Sequence, residues 1–279
     1  MLKFSRDIEY KDGEEFTLVT AFDIHFGAEH CAEDEFINVL KEHGRKEGHY
    51  FIGGGDLLNS IWVVDRRFRF SELHHRYHGN DGFIGDQVED LADIIIKHTD
   101  PEQWLAIGWG NHEDSLITKC SFNPMKRLCE RIGYVTLGGY TYYYILNFHQ
   151  TRDGKKGAGI SYIIYVHHGW GGAMRTEGGD ITKYARTLMY YYADLYLFGH
   201  THSLWAHPIP GIMPEVRGNK VKAKKRYFAE CGTYLKTLSD DIDPAYSEKL
   251  GYSPKSLGCA KFVLKPNHSK SIVEVKSVV

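Results

Sequence analysis

Leu195-Tyr196-Leu197-Phe198-Gly199-His200-Thr201-His202 is the stretch on which the reading of this chain turns. Four apolar, β-prone residues stop at a glycine, and two histidines follow, two apart. A buried strand that ends this way delivers metal-binding side chains to its carboxyl end, where open α/β sheets bind their ligands. The same pattern recurs upstream. Phe16 to Phe22 runs into Asp23-Ile24-His25, and Tyr50-Phe51-Ile52 runs into Gly53-Gly54-Gly55-Asp56. Trp104 to Trp109 runs into Gly110-Asn111-His112-Glu113, and Tyr165-Val166 leads into His167-His168-Gly169.

The residue types narrow the chemistry. Asp23 and His25 are two apart, so on an extended backbone both side chains leave the same side. Glycines before Asp56 let the chain turn sharply and present the carboxylate in the open. No cysteine occurs in any of the five segments. That excludes a thiolate site and suits Mn, Fe, Zn, Co or Ni bound by oxygen and nitrogen. A carboxylate can bridge two ions. Two ions roughly 3.5–4 Å apart stabilise both the attacking and the leaving oxygen of an in-line displacement and acidify a bound water. Phosphoester hydrolysis is the reaction that most needs both effects.

Taken in order, Asp23-x-His25, Gly55-Asp56, Gly110-Asn111-His112-Glu113, His-Gly and Gly199-His200-x-His202 resemble the calcineurin-like metallophosphoesterase superfamily, over positions 23 to 202. Cys231 to Lys236 and Tyr246 to Tyr252 are similar to a branch found in phage-encoded and prokaryotic members. The resemblance implies the metallo-dependent phosphatase fold, a four-layer α/β-β/α sandwich of two mixed sheets flanked by helices. It implies that Asp23, His25 and His202 hold one ion, while Asn111, His200 and one histidine of the 167/168 pair hold the other. Asp56 would bridge them together with a hydroxide that attacks phosphorus. His112 would contact the phosphate or assist the leaving group, as hydrogen-bond donor or general acid. Only one of His167 and His168 can face the site from extended backbone. Relatives with His-Gly here use the second and those with His-x-Gly the first; His168 is the reading taken, with His167 a ligand or a residue behind the ligands. Asn59 departs from relatives that carry a carboxylate there, at a position not expected to ligate.

Composition sets outer bounds. The 279 residues suffice for one large α/β domain, and with ligands drawn from both halves and no linker between them, 1–279 is expected to be one domain. A net charge of −2 gives no global pull toward nucleic acid or a membrane. Met1 to Asp7 contains no apolar leader core, and no apolar run approaches the roughly 20 residues that span a bilayer. A soluble, cytoplasmic protein is the expectation. The five cysteines are scattered and odd in number, which suits reduced, mostly buried thiols.

Periodicity places helices over Glu33–Arg45, Gln87–His98, Asn123–Ile132 and about Ile181–Tyr191, the last with Asp180 as its cap. Strands are expected at 16–22, 51–52, 104–109, 195–198, 226–229, 260–264 and 272–278, and at 140–148 and 160–166 as a hairpin around the charged turn Thr151 to Gly157. Ile61 to Gly85 follows the Asp56 loop and is rich in arginine and histidine. It reads either as a lid whose Arg66 and Arg67 contact phosphate oxygens, or as a solvated surface insertion. Trp170, in Trp170-Gly171-Gly172-Ala173-Met174-Arg175, reads as a stacking platform for a base or aromatic leaving group, or as an ordinary packed loop residue. Lys220, Lys222, Lys224 and Lys225 read as a polar hairpin before a nucleic-acid contact. The tyrosines at 142–144 and 190–192 read as core or sheet surface, and the remaining histidines as satisfied or solvated.

These readings converge on a phosphoesterase with two divalent metal ions, Mn foremost. Phosphodiesters head the substrates, nucleotides and nucleic acid among them; a nuclease or a phosphomonoesterase is the alternative. No membrane and no required protein partner are expected. The rival of another class is a non-catalytic binding module on the same fold.

Overall fold

A computed structural model describes residues 1–152, 155–172, 176, 178–214, 221–239, 245–270 and 272–278. Two mixed sheets form its centre. The smaller runs β11(Ile272–Val278), β10(Lys261–Asn267), β2(Phe16–Ala21), β3(His49–Gly54), β4(Trp104–Gly108). Within it β2, β3 and β4 are parallel and β10 pairs antiparallel with β2 and β11. The larger runs β1(Leu2–Tyr10), β5(Thr141–Arg152), β6(Lys155–His167), β7(Leu195–Phe198), β9(Val221–Cys231), β8(Leu204–Pro214). Here β6, β7 and β9 are parallel to one another, while β5–β6 and β8–β9 are antiparallel hairpins.

Period-two alternation sorts each strand's side chains onto two buried faces. Leu18, Ile52 and Leu105 of one sheet meet Leu146, Ile164, Val166, Leu195 and Leu197 of the other in the inter-sheet core. On the far face of the first sheet, Val19, Ala21, Phe51 and Ile107 pack beneath α1(Glu33–His43), α2(Phe83–His98) and α4(Pro124–Gly133). Those helices contribute Phe36, Leu40, Val88, Leu91, Ile95 and Leu128. Each such side chain contributes about 1.5–3 kcal/mol on full burial. On the far face of the second sheet, Tyr165, Tyr196, Phe198 and Phe228 pack against Tyr184 of α5(Gly179–Ala185). Helix, sheet, sheet, helix is the four-layer order expected. Strands buried on both faces read as continuous apolar runs, which is why Leu195–Phe198 lacks polar alternation.

The expected helices at 33–45, 87–98 and 123–132 are present, α4 being capped by Asn123, whose side chain accepts from Lys126 N at 2.9 Å, with Pro124 in the first turn. The expected 181–191 helix is instead two short ones, α5 and α6(Thr187–Tyr190). Asp180 is not its cap: it lies inside α5, buried, and accepts from Ser203 Oγ at 3.1 Å. Four elements were not anticipated: β1, β8, α3(Asn111–Cys120) and the short α7(Tyr246–Lys249). Ala173, Met174, Arg175 and Lys220 lie outside the described residues, as do Asp153 and Gly154 of the charged turn. The strands flanking 215–220 form a hairpin, and Lys224 pairs with Asp194. All five cysteines are free. Among the described residues, no helix is long and apolar enough to cross a membrane.

Candidate metal centre

Five loops meet at the carboxyl ends of β2, β3, β4, β6 and β7. The loops after β2, β3 and β7 are held in a conformation that L-residues avoid. Asp23, His25, Asp56, His200 and His202 have φ of 46°, 52°, 49°, 74° and 61°. Left-handed φ costs about 1–2 kcal/mol at a non-glycine residue, and such strain concentrates at functional sites. The extended backbone expected at Asp23 and His25 is therefore replaced by left-handed turns, and Asp56 is buried rather than presented in the open. Glycines permit the approach. A Cβ on Gly110 would sit 2.5 Å from His168 Cε1 and 2.7 Å from Asp56 Cγ, and one on Gly199 would collide with Asp23 Oδ2.

Three overlapping groups of ligand atoms result, each within 4.8 Å: first Asp23, His25 and His202, second Asp56, His168 and His200, and between them His25, Asp56 and His112. In the first, His25 Nε2 lies 3.1 Å from His202 Nε2 and 3.9 Å from Asp23 Oδ1, and His202 Nε2 lies 3.7 Å from Asp23 Oδ1. In the second, Asn111 Oδ1 lies 3.0 Å from His168 Nε2 and 2.8 Å from His200 Nδ1. Asp56 Oδ2 stands between the groups, 3.3 Å from His168 Nε2 and 3.9 Å from His25 Nε2. Main-chain bonds lock the arrangement: His200 N donates to Asp23 Oδ2 at 2.8 Å and His112 N to Asp56 Oδ1 at 3.0 Å.

The donor set fits divalent cations. Lone pairs converge with too few protons between them: Asp23 Oδ1 is buried without a hydrogen-bond partner. Asn111 tells the same story. Rotating its amide would turn its nitrogen toward His200, His168 and Asp56 Oδ2 and let its oxygen accept from Arg67 Nη1 at 2.8 Å. A cation among those acceptors favours the oxygen-inward form instead, because the oxygen is then the ligand.

Electrostatics point the same way. Burial lowers His202 to about 3 and His200 to about 4 and holds His25 well below its ordinary range, so three imidazoles keep free lone pairs at neutral pH. Burial also opposes charge on His168, but the Asp56 carboxylate outweighs it and lifts this histidine to about 9. Burial pushes Asp56 up, and the His168 and His112 charges overcome that to hold it well below the usual carboxylate range. Asp23 is raised well above its range by burial.

His167 is in none of these groups. Its ring packs on Trp170 and Tyr140, and Nδ1 accepts from Gly169 N at 2.8 Å. His112 Nδ1 is within hydrogen-bond reach of Asn59 O at 2.6 Å, and Nε2 lies 4.0 Å from Asp56 Oδ2. A cavity of about 630 Å³ runs from Asp56, Asn111 and His112 past Arg67 to Lys236, Tyr252 and Lys255. Trp170 and Arg66 do not line it. The Trp170 ring stands edge-on to Tyr184, 4.8 Å between centroids.

Glu113 is the residue that sequence reading quoted without a role. It is fully buried and accepts from Asp56 N at 3.0 Å, Leu58 N at 3.0 Å and Gly110 N at 2.8 Å, joining two ligand loops. Thr233 does similar work for a third: its Oγ1 donates to Asp23 O at 2.8 Å. The segment 61–85 packs as a wall, with Leu73, Tyr77, Phe83 and Ile84 clustered on Leu116 of α3.

No family model and no curated protein matches the chain. Among solved structures it is similar to a Vps29 from Entamoeba histolytica complexed with Zn²⁺, at 14% identity and TM-score 0.35, covering 94% of this chain and 98% of that one. It is also similar to a predicted phosphoesterase from Streptococcus pneumoniae TIGR4, at 11% identity and TM-score 0.33, covering 95% and 90%. Two mixed sheets packed face to face between helices, with clusters able to hold metal ions at their strand ends, form the four-layer α/β-β/α sandwich that the motif resemblance implied.

Proposed function

We propose that the chain is a dinuclear metal-dependent phosphoesterase acting foremost on phosphodiesters. One observation carries the reading: a single carboxylate oxygen, Asp56 Oδ2, faces both His25 and His168. Asp23, His25 and His202 would hold one divalent ion and Asn111, His168 and His200 the second, with Asp56 between them. Mn is the first choice of metal, with Fe, Zn, Co or Ni as substitutes. When bound, such ions supply Lewis acidity and an acidified water for attack on phosphorus.

The chain's own side chains do the rest. With Nδ1–H directed at Asn59 O, His112 turns Nε2 toward the groove, where as an imidazolium it would donate to a phosphoryl or leaving oxygen. Burial disfavours that charge and an incoming phosphate restores it. The cavity of about 630 Å³ has room for organic groups on both sides of phosphorus, which favours diesters and nucleotides over small monoesters. The protein would work without a protein partner and away from membranes, and 1–279 would act as one domain with 61–85 as the groove's wall.

Hydrolysis of bis(p-nitrophenyl) phosphate by protein stripped of metal and reloaded with Mn²⁺ tests this. Metal-dependent release of nitrophenolate is expected. No release with two ions bound per chain would refute it in favour of a narrow monoesterase or a non-catalytic binding module.

A further inference from the structure

We propose that Arg67 is a fixed anion contact at the edge of the metal centre, donating to a phosphoryl oxygen of the substrate, and that Asp65 is the residue that positions it. This rests on the phosphoesterase reading.

The segment after the Asp56 loop carries several arginines, and the structure separates them. Arg76 is paired with Glu33, and Arg69 Nη1 donates to the main-chain oxygens of Arg66 and Phe68 at 3.0 and 2.8 Å. Arg66 does not line the cavity. Arg69 lines it with Nη1 held on those two carbonyls, whereas Arg67 lines it beside Asn111, the residue whose main-chain oxygen it reaches. Its guanidinium is clamped from behind. Asp65 Oδ1 accepts from Arg67 Nε at 3.1 Å and from Arg67 N at 3.0 Å, and Oδ2 accepts from Nη2 at 3.0 Å. Asp65 is itself held in place: buried, with Ser115 Oγ donating to Oδ2 at 2.7 Å and Lys119 Nζ at 3.4 Å. Both of those partners sit on α3, the helix that opens with Asn111 and His112.

The clamp decides how Arg67 can act. Its Nε/Nη2 edge is spent on Asp65 and Nη2 also donates to Asn111 O at 3.4 Å, so neither edge is left free to grip a phosphate bidentately. What remains is the Nη1 edge, 2.8 Å from the outward atom of the Asn111 carboxamide. With the Asn111 oxygen turned inward, that atom is its NH₂, and two donors then stand side by side. One anionic oxygen in the groove satisfies both. A cation already ordered by a buried carboxylate loses little freedom on meeting that oxygen, which is the condition for stabilising charge that develops in a transition state.

The test uses the full-length, Mn-loaded protein and three variants, R67A, R67K and D65N. Two quantities are read: kcat and KM for bis(p-nitrophenyl) phosphate, and affinity for inorganic phosphate by calorimetry. R67A should lower kcat on the order of 10²-fold, the usual effect of removing one such donor, and weaken phosphate binding roughly tenfold or more, because a charge-assisted bond is lost. R67K should not rescue, since an ammonium cannot hold Asp65 and reach the groove together. D65N should reduce kcat by about tenfold with Mn stoichiometry unchanged, as expected of a positioning residue. Unchanged kcat, KM and phosphate affinity in R67A, beside an active wild type, would overturn the proposal. A wild type that binds phosphate but hydrolyses no ester, with that affinity lost in R67A, would uphold the subsite and overturn the phosphoesterase reading.

Discussion

Glu113 is where the architecture of the site is most exposed to a single substitution. Its two oxygens take three main-chain N–H groups: Gly110 at 2.8 Å and Asp56 at 3.0 Å on Oε2, and Leu58 at 3.0 Å on Oε1. Burial and the Asp56 charge raise its carboxyl to about 7, against the pull of the Leu58 and Gly110 N–H groups. In Glu113→Ala all three donors lose their acceptor in a fully buried pocket. At about 1–3 kcal/mol per unsatisfied group, the cost is on the order of 3–9 kcal/mol. That rivals the whole stability of an ordinary domain, about 5–15 kcal/mol. Glu113→Gln is the sharper experiment. Its amide oxygen replaces one carboxylate oxygen, so at least one N–H faces an NH₂ instead of an acceptor, for about 2 kcal/mol. The left-handed Asp56 turn would bear much of that loss. Urea denaturation with Mn titration separates the effects: the midpoint should fall, and Mn affinity should fall at least tenfold as Asp56 loses its fixed backbone. A Glu113→Gln protein with wild-type midpoint and wild-type Mn affinity would refute the argument that these three bonds shape the site.

Asp56→Asn or His200→Ala should abolish turnover while leaving the circular-dichroism spectrum and melting cooperativity intact; wild-type-like turnover by either variant would overturn the ligand assignment. Gly110→Ala should cost more than 100-fold in kcat/KM, because its Cβ falls 2.5 Å from His168 Cε1 and must displace it or Asp56, a shift of the kind that costs about 10²; unaltered Mn stoichiometry and activity would show that the loop relaxes freely. For metal-free protein the His168–Asp56 pair sets a pH dependence. The folded histidine, lifted to about 9 from an ordinary 6.5, contributes stability that is fully present below about 6.5 and is lost as pH rises through about 9. The loss approaches about 3.5 kcal/mol at most, from about 1.4 kcal/mol per unit. The melting temperature without metal should fall across that window; a flat profile would count against the pair.

Much of this was legible before any coordinates. The apolar runs of β3, β4 and β7 end in glycine and a donor and that of β2 in a donor alone, since these strands are buried on both faces and the glycines allow close backbone approach at their ends. β1 carries a period-two alternation that was not read as a strand: Phe4, Ile8 and Tyr10 turn inward while Lys3, Asp7 and Glu9 stay exposed. β8 was harder to read, because three prolines interrupt an edge strand that needs few of its N–H groups. In α3 the helical pattern is weak, with only Glu113 and Leu116 buried.

The sequence by itself determined which residue types could ligate and at which strand ends, because donor chemistry and strand periodicity are local properties. It favoured His168 over His167 only through the family resemblance, with no physical ground of its own. Ile164 and Val166 face the inter-sheet core and Tyr165 the outer layer, so His168 continues the inner parity; both faces are apolar, and parity shows only once the second sheet is in place. Nor could it select Arg67 among its neighbours or leave Trp170 outside the groove. Those outcomes depend on Asp65 meeting α3 and on Tyr184 meeting Phe198, contacts between residues far apart in the chain or on separate elements. Only the packed fold brings them together.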